Sequence, residues 1–390
     1  MFEKKFKGLL LATCYLLLAT SLSAEPHISE TYGFSIDLPE GYQLEAGNGK
    51  DSFSFASPWN TNFTLRIYPT ARYADTKALA EGMTKQIAST GDMSDFTYRG
   101  EKSYLMELDF SLQGAHYSGW ALALKLPSQK GMLAALAYGP ATSGAEARAL
   151  DNLHLSCIDS VRPSLSANPV PGPVSAFSHP KGERQSAAIK LSPDKTIQSF
   201  IHKDDADAAQ ELVEREYQVL TRYQNRPELE AAWKRYYRRI FEDSFSRLDE
   251  VSFDIERALG YQDRRDFAGQ VLAWTQSFTY ERNFDSSDFV NPVTAAIEGR
   301  GDCDSRAVLW AIVLEHNNIK AGIMVSPEYK HAMGIADIPK SIGKAATSSD
   351  GARFTVDGKA YLVAETTDNV AIGQIAQSVS RKDKWFGVVF

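Results

Sequence analysis

Between residues 28 and 160 the chain alternates short apolar runs with turn formers. YGFSIDLPEGY (32–42), DSFSFASP (51–58) and NFTLRIYPT (62–70) combine aromatic and β-branched residues in partial alternation, the pattern of half-buried strands. ARYADTKALAEGMTKQIAST (71–90) breaks that rhythm: Leu79, Met83 and Ile87 recur at helical spacing and predict a helix covering one sheet face. YSGWALALKLP (117–127) and GMLAALAYGP (131–140) resume the strand pattern, and SGAEARALDNLHLSCI (143–158) predicts a closing helix. Residues 25–160 therefore read as an α+β domain with an antiparallel sheet. Residues 161–184 concentrate proline, serine and glycine and read as a linker, with Pro169, Pro171 and Pro173 favouring extended backbone.

Residues 185–390 read as a second unit. The stretches 205–224, 228–260 and 264–280 are mainly helical by apolar spacing. DCDSRAVLWAIVLEHNN (302–318) follows, predicting a helix from near Cys303 to about Glu315 that is apolar around much of its circumference and hence central. IKAGIMVSP (319–327), KHAMGIADIP (330–339), ARFTVDG (352–358) and KAYLVAETT (359–367) read as strands separated by turns. The fold class is α+β: an antiparallel-sheet domain, then helices, then a helix-plus-antiparallel-sheet core.

Composition narrows the function. Residues 1–24 pair a lysine-bearing head with an apolar run closing on small residues, which predicts an export signal and a periplasmic or secreted protein. Retention of that segment would instead give membrane association. Net charge is −7 without a lysine- or arginine-rich tail, so nucleic acid is not an expected partner. Beyond the export segment the cysteines are Cys157 and Cys303, which permit one disulfide in an oxidising compartment. Pairing would remove any thiol chemistry.

Cys303 is the residue on which chemistry turns. Gly299 and Gly301 permit a tight approach, and a cysteine in the first turn of a helix gains from exposed N–H groups and the helix dipole. That gain is only about 0.3–1 kcal/mol. Asp302 and Asp304 oppose a thiolate if they face it, so a histidine partner is required. His331 begins a strand expected beside the helix, whereas His316 lies roughly 20 Å along the same helix axis. Glu365, at the end of a later strand, is the candidate to orient His331, with Asp368 a weaker substitute. Asp337 falls about 20 Å from His331 along an extended strand.

GRGDCDSRAVLWAIVL, KHAMGIADIP and YLVAETT, in that order, resemble the transglutaminase-like superfamily of papain-type thiol enzymes across about residues 265–370, with Tyr280 and TAAIEGRG resembling the upstream pattern. The resemblance implies Cys303 as nucleophile, His331 as general base and Glu365 as the third residue of a triad, in a position where aspartate followed by proline and threonine is usual. Tyr361 stands where tryptophan often occurs. It implies attack on a peptide or protein amide through a thioester, with hydrolysis, acyl transfer or catalytically silent peptide binding as outcomes. No metal or organic cofactor is needed. A second oxyanion donor is required by analogy, for which Gln276 or Gln270 would serve. YGFSIDLPEGY and the meander after it loosely resemble PsbP/Mog1-type domains, implying a binding or scaffold role toward an envelope protein.

Other groups read more simply as structure. Cys157 and His154 fit a packed helix edge, and Asp204, Asp205 and Asp207 fit a helix start rather than a calcium site. Trp233, Tyr236, Tyr237 and Phe241 read as helix packing, with part of that surface available to a peptide groove.

Overall fold

The computed structural model describes residues 26–127, 130–165, 167–282, 287–340 and 350–390. The export segment predicted at 1–24 lies outside the described residues. Strands β1 (His27–Ser29) and β2 (Phe34–Ile36) form a small antiparallel pair. The meander follows as β3 (Gln43–Gly47), β4 (Ser52–Ala56), β5 (Asn62–Tyr68), helix α1 (Thr76–Ile87), β6 (Met93–Tyr98), β7 (Glu101–Leu112), β8 (Ala115–Leu126), β9 (Gly131–Pro140) and helix α2 (Gly144–Asp159). Its seven strands are antiparallel in the order β3-β4-β5-β9-β8-β7-β6. Alternation along the central strands explains why both faces are covered. Met106, Ala121 and Ala123 pack with Leu79 and Met83 of α1, while Leu105, Leu122 and Leu124 belong to the core that holds Leu153 and Cys157 of α2. Asp75 caps α1 by accepting from the Ala78 N–H at 2.8 Å.

The proline-rich stretch departs from the expectation of extended backbone at Pro173. Gly172 is the N-cap and Pro173 the first residue of helix α3 (Pro173–Ser178), where a missing N–H costs nothing. The Asp159 carboxylate secures its start, accepting from the N–H groups of Val174 (2.8 Å) and Ser175 (3.0 Å). Residues 184–202, given no element above, form the antiparallel hairpin of β10 (Arg184–Ser192) and β11 (Lys195–His202).

Helices α4 (Asp205–Thr221), α5 (Leu229–Phe245), α6 (Asp249–Leu259), α7 (Arg264–Gln276) and α8 (Pro292–Glu298) lead to α9 (Cys303–His316). Strands β12 (Ala321–Ser326), β13 (His331–Ala336), β14 (Arg353–Val356), β15 (Lys359–Ala364) and β16 (Phe386–Val389) form an antiparallel sheet in the order β14-β15-β13-β12-β16. The α+β class expected from the sequence is what the chain adopts. Every apolar side chain of α9 from Ala307 to Leu314 is fully buried, as its unbroken apolar run requires. The described residues hold no helix long and apolar enough to cross a membrane.

One apolar core runs from α2 through α4 and α5 into α9 and the C-terminal sheet. Buried ion pairs accompany it. Asp37 accepts from Arg238 (3.0 and 3.2 Å), Glu216 from Arg235 (2.7 Å) and Ser156 Oγ (2.9 Å), and Asp159 from Arg215 and Arg239. These contacts tie the N-terminal domain to α4 and α5.

Candidate functional site

Three segments converge on the start of α9. The first is the approach loop. Gly299, at φ +62°, ends α8 in the left-handed conformation that glycine adopts without strain, and turns the chain toward Cys303. Thr279 N–H donates to Gly299 O (2.8 Å), and Gly301 N–H donates to Thr279 O (3.0 Å), lacing this loop to the strip that carries Tyr280. Asp302 is the N-cap of α9, with Oδ1 accepting from Ser305 N–H (2.9 Å) and Ser305 Oγ (2.6 Å).

The second segment is β13. Gly334 lies so close to α9 that a side chain there would meet the Trp310 ring at 2.5 Å, which is why a glycine interrupts an otherwise bulky strand. The third is the turn after β15. Pairing between β13 and β15 stops at Gly334–Ala364, and beyond that point the first turn of α9 meets Ala332 of β13 and Thr366, just past β15. The Ala332 N–H is directed toward the Cys303 sulfur and lowers its pKa, and Thr366 Oγ1 donates to Cys303 O at 3.5 Å.

Arg306 fastens the first and third of these to the strip that carries Tyr280. Its buried guanidinium donates to Gly301 O (3.0 Å), Phe278 O (2.9 Å) and Thr366 O (3.4 Å), and it sits 5.4 Å from the Tyr280 ring centroid. Burial holds its pKa below the usual guanidinium value. The sequence offered one signal for this role: an arginine within the apolar run of a central helix must find buried acceptors.

His331 and Glu365 meet. Nε2 of the imidazole and Oε2 of the carboxylate are 2.7 Å apart, and Glu365 Oε1 accepts from both the N–H (2.8 Å) and the hydroxyl (2.6 Å) of Thr367. Burial pushes the Glu365 carboxyl up, but the His331 and Thr367 hydrogen bonds outweigh it and hold the group below its ordinary value. An ionised Glu365 accepts, so Nε2 carries the proton and Nδ1 is the basic nitrogen. The His331 ring also lies edge-on to Trp385, 6.1 Å between centroids.

Cys303 has no hydrogen bond to this pair. The residue is 6% exposed, and its S–H donates to Asp304 Oδ1 at 3.3 Å. Tyr237 O–H, from α5, donates to the other oxygen of Asp304 at 2.5 Å. Burial first, then the charges of Asp304 and Asp302, push the thiol well above its ordinary pKa, and the Ala332 N–H only partly offsets them. Asp302 is pushed up to about 8 by burial and by Asp304. Asp304 is also raised by burial, against the opposing hydrogen bonds from Tyr237 and Cys303. Both aspartates therefore do face the sulfur, and Tyr237, read from sequence as packing, touches one of them. Cys157 and Cys303 are both free thiols, and burial pushes Cys157 up to about 12.

Neither glutamine hydrogen-bonds to the Cys303 group. Gln276 spends both N–H groups on Glu365 O (2.8 Å) and Val370 O (2.9 Å), so it holds the turn that carries the acid. Gln270 donates to Asp266 Oδ2 (2.6 Å), one turn back on its own helix. His316 bonds Asp249 (2.8 Å) and Ile312 O (2.9 Å), Asp337 pairs with Lys359, and Asp368 is exposed. Ligand atoms of Asp302, Cys303 and Asp304 lie within 4.8 Å of one another, the spacing of a metal site, but most are already spent on Ser305, Tyr237 and each other. A cleft of about 870 Å³ lies at the junction of β6, α3 and β11 and includes none of the Cys303 group.

Among known proteins, no family model and no curated sequence matches this chain. Solved structures give faint likenesses. The cyanobacterial PsbP protein CyanoP from Synechocystis sp. PCC 6803 is 12% identical, with 39% of this chain and 98% of that one covered and a TM-score of 0.27. A Bacteroides thetaiotaomicron protein is 12% identical, with 57% and 79% covered and a TM-score of 0.25. The first falls in the group that the N-terminal meander resembles by sequence, at a similarity too low to carry an argument.

Proposed function

We propose that this chain is an exported thiol hydrolase of the transglutaminase-like type that cleaves peptide or protein amide bonds, with Cys303, His331 and Glu365 as nucleophile, base and orienting acid. The observation that carries this reading is the His331–Glu365 hydrogen bond of 2.7 Å on the strand whose next residue, Ala332, directs its N–H toward the Cys303 sulfur. Order along the chain and local motifs agree with the resemblance.

In this mechanism the Cys303 proton moves to His331 Nδ1 and the sulfur attacks the amide carbonyl. Glu365 stabilises the imidazolium through Nε2. The tetrahedral oxyanion receives the Cys303 backbone N–H at the start of α9. His331 then protonates the leaving amine, a thioester forms, and water attacks it to release the acid and restore the thiol.

A second reading is a catalytically silent peptide-binding protein, and one observation favours it: the S–H group is turned to Asp304 rather than to His331. The N-terminal domain would on either reading recruit a substrate or envelope partner. Labelling of the folded protein with an electrophilic thiol probe, repeated after Cys303→Ala and His331→Ala, separates the two. Hydrolysis requires label at Cys303 that falls sharply without His331; label indifferent to His331 sinks it. Peptide substrates with and without an added amine then distinguish hydrolysis from acyl transfer.

A further inference from the structure

Asp304 occupies an odd place for an acid. It follows the nucleophile directly, it is half-buried against α5, and each carboxylate oxygen already has a proton directed at it: S–H of Cys303 at 3.3 Å and O–H of Tyr237 at 2.5 Å. Around it stand Tyr236 and Tyr237 from α5, Asp302 and Cys303 from α9, Asp288 and Tyr280 from the preceding loop and strip, and His331 from β13. The only base in that set that does not add negative charge is His331.

We propose that Asp304 is a positioning residue that, clamped by Tyr237, keeps the resting Cys303 protonated and turned from His331, so that the thiol is silent until this bond is displaced. The inference rests on the assignment of Cys303 as a nucleophile. A carboxylate that accepts the S–H stabilises the neutral thiol and repels the thiolate. Tyr237 fixes the rotamer in which it does so, because its hydroxyl is committed to the second oxygen. Arming the thiol breaks the S–H···Oδ1 bond and moves that proton to His331 Nδ1, while Asp304 keeps the Tyr237 hydrogen bond. The charge of Asp304 thus silences the thiol, and an uncharged side chain of the same shape should not.

The test is the rate at which iodoacetamide alkylates Cys303 in the folded full-length protein, followed by mass spectrometry between pH 6 and 10. A C–S bond forms and iodide leaves, so the rate reports the thiolate with no amide substrate involved. Asp304→Asn is expected to lower the midpoint of the pH profile and to speed alkylation at pH 7.5 by about three- to fourfold for each unit the midpoint falls. Tyr237→Phe, which frees Asp304 from its clamp, is expected to move both in the same direction by less. Unchanged midpoints in both folded variants would overturn the latch. If Asp304→Asn fails to fold by its melting curve, Tyr237→Phe alone decides, and an unchanged or raised midpoint refutes it. A lowered midpoint with no peptide cleavage by the natural chain supports the latch and removes the hydrolase, so the two readings fail separately.

Discussion

Two regions of this molecule bury charge, and they do so with opposite results. At the junction between the N-terminal domain and helices α4 and α5, burial raises the carboxyls of Asp37, Asp159 and Glu216, but neighbouring guanidiniums of Arg235, Arg238, Arg215 and Arg239 overcome it and hold all three below their ordinary values. At the start of α9, Asp302, Asp304 and the Cys303 thiol are all raised, because burial and neighbouring acids outweigh the hydrogen bonds and the His331 charge that oppose them. Arg306, nearby, is spent on backbone carbonyls. Paired burial is structural: each charge is neutralised and the interface is fixed. Unpaired burial of acids around a thiol is the pattern of a site, where perturbed proton affinities are retained for what they do. Glu40 is the exception at the junction. Its Oε1 is buried without a hydrogen-bond partner, and burial, only partly offset by Arg235, pushes its pKa up to about 7.

The contrast can be broken by removing one junction cation. Arg235→Ala leaves Glu216 without its 2.7 Å partner and is expected to destabilise the protein by about 3–5 kcal/mol in urea unfolding. Arg235→Met combined with Glu216→Leu should cost far less, because no charge is then stranded. A single truncation costing under about 1 kcal/mol would show that the junction is held by apolar packing alone.

On the other side of the contrast, Glu365→Gln removes the charge that faces His331 while preserving shape. Peptide hydrolysis should fall by roughly 10²–10³-fold with the melting temperature little changed. A loss of fold instead of rate would move Glu365 to the structural class. Glu40→Gln sharpens the exception. An acid whose folded pKa lies near 7, against 4.5 unperturbed, carries no penalty below pH 4.5, loses stability as pH rises between those values, and carries the full penalty above 7. The variant should therefore gain about 1–3 kcal/mol at pH 8 and nothing at pH 4; equal melting shifts at both would refute the burial account. The smallest effect is expected for Gln276→Ala, which loosens the Glu365–Val370 turn: peptide turnover should fall by a few-fold, about 1 kcal/mol, with iodoacetamide alkylation of Cys303 unchanged.

Much of this architecture was legible in local pattern. Leu79 and Met83 announced α1, the apolar run after Cys303 announced a buried α9, and the strands β12 to β15 fell where alternating stretches were bounded by turns. The hairpin at 184–202 was hidden because its strands are short of aromatic anchors and follow a proline-rich stretch. Pro173 misled in the same region, since proline suits both an extended segment and the first turn of a helix, and only the Asp159 carboxylate selects the helix.

The meeting of His331 and Glu365 was readable because each ends or begins a strand, and strand pairing brings such ends together. What Asp302 and Asp304 do was not. Asp302 caps the helix through Ser305, while Asp304 is claimed by Tyr237 from a helix more than sixty residues earlier. Gln276 was misassigned for the same reason, because an amide's partners depend on which carbonyls tertiary packing presents.

By itself the sequence determined the α+β class, the central helix that opens on Cys303, and the order of cysteine, histidine and acid, because periodicity and capping act over a few residues. Only the tertiary structure decided which charges were neutralised and which were left to act on the thiol. Burial and Coulomb energy depend on what arrives from distant segments, and a distance of a few ångströms between such segments is written nowhere in local pattern.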